Sequence, residues 1–457
     1  MNKAKRILSN RILNPLVLHA YRTGKRRLAC RLERSKLYNP PHLLGGEKTQ
    51  WYPPDQMEKL QQKKLQVILS HAYENVPYYH RIFKERNLKP EDIKSTEDLS
   101  KLPILTKDVI RRDFDDLIAK NATEEDLIFN STSGSTGEPL KFYMDWSLQE
   151  HQMMGKYRAW SWRGISPTEK RADIFGGLDA EKKKSRPDRL WISVFNLSED
   201  TIDYYVNKLV EFQPRFIRGF PSALYLIARY MLKEGIDKVC PIAVTTTAEA
   251  LFEYQRREIA NAFGCEVFDH YGAREHAVGS FECPEHFGYH ISGDNGVLEF
   301  IKDGENVSAG EEGAIVVTDF THFSMPFIRY KIGDVGVPSG ELCPCGRGLP
   351  VMESVIGRIS DIVVTPQNKY ISGSVLSHIF KNLNIEEFMI LQETKKDFTI
   401  KIVKGGNYSS NDSEYIHTNF KKHVDPDINI NIEFVDSIPT TKAGKRCFVK
   451  SEVQKFL

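Results

Sequence analysis

The chain is expected to fold as an α/β protein in two parts. A large layered α/β domain with a β-rich subdomain comes first, and a small, mobile α+β domain closes the chain. Three observations predict this. Between residues 170 and 275, apolar strand-like runs alternate with helical ones, the order that builds a largely parallel sheet covered by helices. From about 290 to 355 the pattern turns to strands and turns alone. Beyond Gly357-Arg358 a separate α-β-β-α-β set begins, long enough at about a hundred residues for a domain of its own. At 457 residues the chain exceeds one typical core. The boundaries follow: a basic N-terminal segment over 1–50, the large domain over 51–357 and the small domain over 358–457.

The first forty residues carry Lys3, Lys5, Arg6, Arg11, Arg22, Lys25, Arg26, Arg27, Arg31, Arg34 and Lys36 against Glu33 alone. That excess suits peripheral contact with an anionic membrane surface or an acidic partner, and equally a solvated basic helix. Its apolar run is broken by Asn14 and closed by His19, which does not fit a signal peptide. No apolar stretch approaches the roughly 18 residues that a membrane span needs. The expected location is the cytoplasm, with contact at the inner face of the membrane as an option. A net charge of +2 gives no reason to invoke nucleic acid.

Asp55 is placed to cap a helix whose apolar stripe runs through Met57, Leu60, Leu65, Ile68, Leu69 and Ala72. Asn75-Val76-Pro77-Tyr78-Tyr79 breaks it, and Leu102-Pro103-Ile104-Leu105 leads to the stretch Ser131-Thr132-Ser133-Gly134-Ser135-Thr136-Gly137-Glu138-Pro139-Leu140. Small hydroxyl residues and glycines let successive N–H groups converge on an anion. Strand-like runs on both sides make this a hairpin tip, and the spacing of a Walker A loop is absent. Further on, Gly176, Gly219, Ala248 and Tyr271 all fall just after the ends of strand-like runs, where open α/β sheets bind ligands. The runs at 297–301 and 314–318 predict a hairpin or small barrel. A helix over 372–383, strands over 388–391 and 398–403, a helix over 412–424 and the alternation Ile428, Ile430, Ile432, Phe434 complete the chain.

Four motifs join the glycine loop: Tyr271-Gly272-Ala273-Arg274-Glu275, Arg329-Tyr330-Lys331-Ile332-Gly333-Asp334, Gly357-Arg358-Ile359-Ser360-Asp361 and Pro439-Thr440-Thr441-Lys442-Ala443-Gly444-Lys445. Each alone is an ordinary turn. Their order and spacing resemble the adenylate-forming superfamily of acyl- and aryl-CoA ligases, over roughly residues 75–450. Asn75-Val76-Pro77-Tyr78-Tyr79, Leu102-Pro103-Ile104-Leu105, Gly137-Glu138-Pro139-Leu140-Lys141-Phe142-Tyr143 and Arg218-Gly219-Phe220-Pro221-Ser222 look like its phenylacetate–CoA ligase branch. The likeness is greatest to the CapK-type members associated with capsule and surface-polysaccharide biosynthesis.

The resemblance implies ATP and Mg²⁺, and a hinge near Arg358. Ser133, Gly134, Ser135, Thr136 and Gly137 would hold the β- and γ-phosphates through N–H and hydroxyl donors. Ala248 and Glu249 match the adenine edge, Tyr271 with Gly272 the base, and Asp334 the ribose hydroxyls. Glu275 is the expected Mg²⁺ carboxylate, and Arg358 would reach ribose or phosphate. Lys445 would bridge the attacking carboxylate and the α-phosphate, where negative charge gathers in the transition state. The implied reaction joins a small carboxylate to ATP as acyl-AMP with release of pyrophosphate, then passes the acyl group to CoA.

The seven cysteines, an odd number without a secretion signal, favour free thiols or a metal site over a disulfide framework. Cys343-Pro344-Cys345 is a tight thiolate pair, and Cys283-Pro284-Glu285-His286-Phe287-Gly288-Tyr289-His290 adds a thiolate and two imidazoles. Three cysteines and one histidine close a tetrahedral structural Zn²⁺ site. Either His286 or His290 serves on spacing alone, and free surface cysteines are the plain alternative. The resembling proteins keep a Cys…His…Cys-x-Cys pattern whose histidine aligns best with His290.

Three departures from the family pattern qualify the transfer step. Leu140 stands where many members have lysine, and Lys141, one residue on, points to the other face of a strand. Ser360 precedes Asp361 where two acids are common, and 362–369 lacks the glycine CoA ligases often use beside the pantetheine tunnel. One alternative to CoA is therefore an amine or hydroxyl acceptor on a sugar precursor. The other is a non-catalytic adenylate-binding scaffold, which would have no need of Glu275, Asp334 and Lys445 together.

Overall fold

A computed structural model describes residues 46–132, 140–175, 187–194, 197, 201–358, 362–367, 370–372, 376, 378–380, 383–439 and 447–453. Residues 1–45 of the basic N-terminal segment, the loop tip with Ser133, Gly134, Ser135, Thr136 and Gly137, Gly176, the residues 359–361, half of the expected helix over 372–383, and Lys445 lie outside the described residues.

Helix α1 (Pro54–Asn75) opens with proline at its first position, so Pro53 takes the cap and Asp55, expected there, falls in the first turn. There its charge still faces the positive end of the helix. Of the predicted stripe, Met57, Leu65, Ile68, Leu69 and Ala72 are buried and Leu60 is half-buried. Pro77 then starts α2 (Pro77–Glu85), which buries Tyr78, Tyr79 and Phe83. The Tyr79 hydroxyl donates to the Pro326 carbonyl at 2.9 Å and accepts from the Ile328 N–H at 3.0 Å. Leu105 exchanges backbone bonds with Arg329 (2.8 Å) and Lys331 (2.9 Å). The N-terminal scaffold is thus fastened to the strand that carries Asp334.

Strands β1 (Ile128–Ser131) and β2 (Lys141–Met144) pair antiparallel, and Thr132 and Leu140 close the hairpin through two hydrogen bonds. Helix α3 (Trp146–Ser161) follows, capped by Asp145, which accepts from the Leu148 N–H at 2.7 Å. The other Asp145 oxygen accepts from the N–H groups of Phe323 and Ser324, each at 2.8 Å.

Next come β3 (Arg171–Phe175), β4 (Arg189–Ser193), α4 (Ile202–Phe212), β5 (Phe216–Gly219), α5 (Pro221–Lys233), β6 (Ala243–Thr247), α6 (Glu253–Phe263) and β7 (Glu266–Tyr271). These five strands are parallel neighbours, as the alternating pattern predicts. Ile174, Val206, Ile217, Leu224, Ile227, Val244 and Ile259 fill the core between sheet and helices.

Strands β8 (Ser280–Glu282), β9 (Tyr289–Ile291), β10 (Gly296–Lys302), β11 (Glu305–Asn306), β12 (Gly313–Asp319), β13 (Tyr330–Pro338) and β14 (Val351–Arg358) then run antiparallel. The hairpin expected at 297–318 is present as β10 and β12. A separate barrel is not. Strand β8 turns back against β7, and β9 joins β8 to β14, so the antiparallel strands extend the parallel ones as one twelve-stranded sheet.

Beyond β14, a second core gathers around Ile390, Ile400, Ile402, Ile416, Phe420 and Val449. Its strands are β15 (Ile362–Val364), β16 (Tyr370–Ser372), β17 (Ile385–Gln392), β18 (Asp397–Lys404), β19 (Asn429–Phe434) and β20 (Val449–Ser451), with helix α7 (Ser410–His423) between β18 and β19. Four form one sheet in the order β19-β18-β17-β20. The buried Gln392 side chain ties β15 to that sheet, accepting from the Val364 N–H at 2.9 Å and donating to its carbonyl at 2.7 Å.

Candidate active site and cysteine–histidine cluster

The parallel strand β7 ends on Tyr271, and the antiparallel β13 carries Asp334 past the left-handed Gly333 (φ +100°). Between them the Tyr271 hydroxyl donates to Asp334 Oδ2 at 2.9 Å. Four residues after Tyr271, the buried Glu275 accepts at 3.2 Å from the hydroxyl of Tyr330, which is itself fully buried. Burial, and then the charges of Glu275 and Asp334, hold the Tyr330 proton in place well above its ordinary pKa. Two expected nucleotide-site carboxylates therefore share one neighbourhood, each fixed by a tyrosine. Tyr330 lies inside the quoted motif, but sequence reasoning passed over it. A bulky tyrosine three positions before a glycine bend was the available signal.

The backbone around these residues is held from behind. Arg329 sits at φ +53° and forms a buried, two-pronged pair with Glu299, at 3.1 and 2.9 Å, while donating to the Leu102 carbonyl at 2.7 Å. A non-glycine residue in that conformation persists only where its surroundings fix it. Arg358 lies opposite Asp334 in the β13–β14 register, next to Gly357 at φ +124°. The expected hinge therefore begins beside the expected ribose carboxylate.

Ala248 adopts φ +72° just after β6, and Glu249 turns to the start of α5, accepting from the Ser222 N–H at 3.1 Å. That bond gives Glu249 a helix-capping role beyond the adenine-edge position that resemblance assigns to it. Gly272 has no room for a side chain, since a Cβ would stand 3.0 Å from the His270 ring. At the hairpin, Leu140 is buried and Lys141 is exposed. Lysine at the second position thus faces away from the core side that Leu140 occupies.

A second constellation lies at β8–β9 and the turn before β14. The ligand atoms of Cys283, His290, Cys343 and Cys345 all fall within 4.8 Å of one another. Cys283 and Cys343 Sγ are 3.6 Å apart, too far for a disulfide, and Cys345 Sγ is 3.4 Å from His290 Nε2. Tetrahedral zinc with bonds of 2.0–2.3 Å places its ligands roughly 3.3–3.8 Å apart. The donor set and its spacing fit that ion. Burial, then Arg347 and Arg158, bring the His290 ring down to about 4, leaving the neutral form that binds metal. His286, the alternative on spacing, instead stacks on Phe268 (centroids 4.9 Å apart) and faces Glu282 at 3.6 Å. The geometry brings His290, not His286, to the cysteines.

Residues 363–452 match the family described as the CapK C-terminal domain. Protein CapK of Staphylococcus aureus is 26% identical over 416 residues, which cover 87% of this chain and 89% of that protein. Phenylacetate-coenzyme A ligase of Escherichia coli (strain K12) is 29% identical over 328 residues, 68% of this chain and 73% of that one. The chain is a homologue of CapK and the phenylacetate–CoA ligases. Among solved structures, 2-hydroxyisobutyryl-CoA ligase in a postadenylation state superposes with a TM-score of 0.74 at 18% identity, covering 91% of this chain and 95% of that one. That likeness is one of fold, and it places the CapK homologue on the adenylate-forming CoA ligase architecture. Among its described residues, no helix is long and apolar enough to cross a membrane.

Proposed function

We propose that this CapK homologue is an ATP-dependent ligase that converts a carboxylate to its acyl-adenylate, releases pyrophosphate and passes the acyl group to CoA. The observation that carries the reading is the Tyr271–Asp334 hydrogen bond, with Glu275 fixed by Tyr330 beside it. Asp334 offers an acceptor pair suited to a vicinal diol, and Tyr271 a ring suited to the base. Glu275 would hold Mg²⁺, whose part is to neutralise phosphate charge. The loop 133–137 would grip the leaving pyrophosphate. Lys445 and Arg358 would complete the site from the small domain, Lys445 acting where charge accumulates on the carboxylate and α-phosphate. Cys283, His290, Cys343 and Cys345 would bind zinc as a structural brace between β9 and the turn before β14.

The acceptor has a second reading. The absence of glycine from 362–369, where CoA ligases often place one, favours an amine or hydroxyl acceptor. The test is AMP release from ATP with a panel of carboxylates, with CoA or with amino sugars added. Acid-dependent AMP release that requires CoA supports thioester formation. Acyl-adenylate that CoA leaves untouched and an amino sugar discharges moves the assignment to the second acceptor. No acid-dependent AMP under any condition rejects both.

A further inference from the structure

Aromatic rings from both domains form one continuous run. Tyr225 of α5 meets Tyr254 of α6 edge-to-face at 5.4 Å, and Tyr254 stacks on Phe252 at 5.7 Å. Phe252 meets Phe448 edge-to-face at 5.3 Å, Phe448 packs on Phe388 of β17 at 5.5 Å, and Phe388 stacks on Phe380 at 4.1 Å. The first three rings belong to the large domain and the last three to the small one. The run therefore crosses between the domains at Phe252 and Phe448.

Both rings at the crossing are held from their own side. Phe252 precedes α6, where its N–H donates to the Gln255 side chain at 3.2 Å and its carbonyl accepts from the Arg256 N–H at 2.9 Å. Phe448 precedes β20, and its carbonyl accepts from the Ile390 N–H of β17 at 2.9 Å. Phe252 is buried and Phe448 half-buried. An edge-to-face pair shifts an equilibrium by roughly two- to twelvefold beyond the area it buries. Domains of one chain move relative to one another unless a large apolar interface holds them, so a contact of that worth decides how often one arrangement is populated. Its place in the sequence gives that arrangement a meaning. Phe252 comes three residues after Glu249, at the expected adenine edge, and Phe448 three residues after Lys445.

We propose that Phe252 and Phe448 are positioning residues, whose contact docks the small domain on the large one beside the adenine-edge turn in the arrangement where acyl-adenylate forms. The inference rests on the carboxylate-activating reading above and deepens it by naming the contact that brings the two halves of the site together. Neither ring has a part in the chemistry itself; each acts through the docking of its domain.

The test uses the full chain with Phe252→Ala, Phe448→Ala and the double variant. In pyrophosphate exchange each single variant should lower kcat about tenfold while the KM for ATP stays within about twofold. The double variant should lose no more than either single one, because both remove the same contact. Phe252→Tyr, which keeps the ring, should retain most of the activity. A higher KM for ATP at unchanged kcat would make Phe252 a prop of the nucleotide edge alone, and losses that multiply would mean that the rings act separately; either result overturns the inference. Hydrogen exchange reads the contact without any activity. Phe448→Ala should speed exchange at the start of α6, and Phe252→Ala should speed it in β20, each in the domain that carries no substitution. Phe252→Ala leaves the small domain's own core intact and carries the test if Phe448→Ala unfolds it. Unchanged exchange across the boundary overturns the inference. Faster exchange there, without pyrophosphate exchange by the wild type with any acid, keeps the docking contact and removes the ligase. Pyrophosphate exchange that neither alanine variant alters keeps the ligase and removes the docking role.

Discussion

Tyr271 and Asp334 stand 63 residues apart in sequence and meet in one hydrogen bond. Tyr271→Phe removes the donor and keeps the ring, so it should raise the KM for ATP by roughly ten- to 150-fold, the range for a bond to a charged acceptor. Asp334→Ala should cost more, because the ribose acceptor goes as well. Equal, small effects for both would remove Asp334 from the nucleotide site. Titration makes a second residue-scale prediction. Burial would raise Asp294, Glu282 and Asp173, but Arg158 for the first, His286 and Arg256 for the second, and Arg218, Arg171 and Arg189 for the third hold each at about 2. Folded values below unfolded ones mean stability that is complete above about pH 4.5 and drains away as pH falls towards 2. Asp269, pushed up to about 6 by burial and then Glu282, works in the opposite sense between pH 4 and 6, but it is one group against three. The urea midpoint should therefore fall steeply below pH 4. A midpoint unchanged from pH 7 to 3 would contradict these pairings.

Among elements, those with local signals were legible and those that depend on register were not. The hairpin around 131–140 could be read because small residues sit between two strand-like runs, and its closure by Thr132 and Leu140 agrees. The small barrel was a misreading for a physical reason: apolar alternation marks β10 and β12 as strands but says nothing of which edge they join. Pairing of β8 to β7 decides that, through contacts remote from either pattern. His286 and His290 could not be told apart by spacing for the same reason. The pairing of β9 with β8 and β14 brings His290 to the cysteines, while His286 falls in a turn at φ +48°. Metal analysis of purified wild type should find stoichiometric zinc, and Cys343→Ser should lose it and melt at lower temperature. Protein free of bound metal, stable and correctly folded, would reject the zinc assignment. In β10, a Cβ on Gly296 would stand 2.2 Å from the Thr318 carbonyl oxygen. Gly296→Ala should thus destabilise by about 1–3 kcal/mol in denaturant unfolding, and an unchanged midpoint would mean that β12 yields freely.

Across the whole molecule, the twelve-stranded sheet ends in β14 at Arg358, and the second sheet begins its own core beyond it. Phe252 of the large domain meets Phe448 of the small one at 5.3 Å, and Phe448 in turn packs against Phe388. Gly357 holds a backbone angle that favours glycine, and a Cβ added there would meet nothing within 4 Å, which suits a pivot. The division of labour proposed here follows that layout. On that proposal the large domain would hold nucleotide and acid through Tyr271, Asp334 and Glu275, and the small domain would bring Lys445. Order and spacing of motifs made the fold readable from the sequence, whereas no motif names the acid. Pyrophosphate exchange into ATP across a carboxylate panel, wild type beside Lys445→Ala, tests the central claim most directly. Acid-dependent exchange by the wild type, reduced by about 10²–10³ in the variant, is the predicted result. No exchange with any acid, or full exchange by Lys445→Ala, would contradict it.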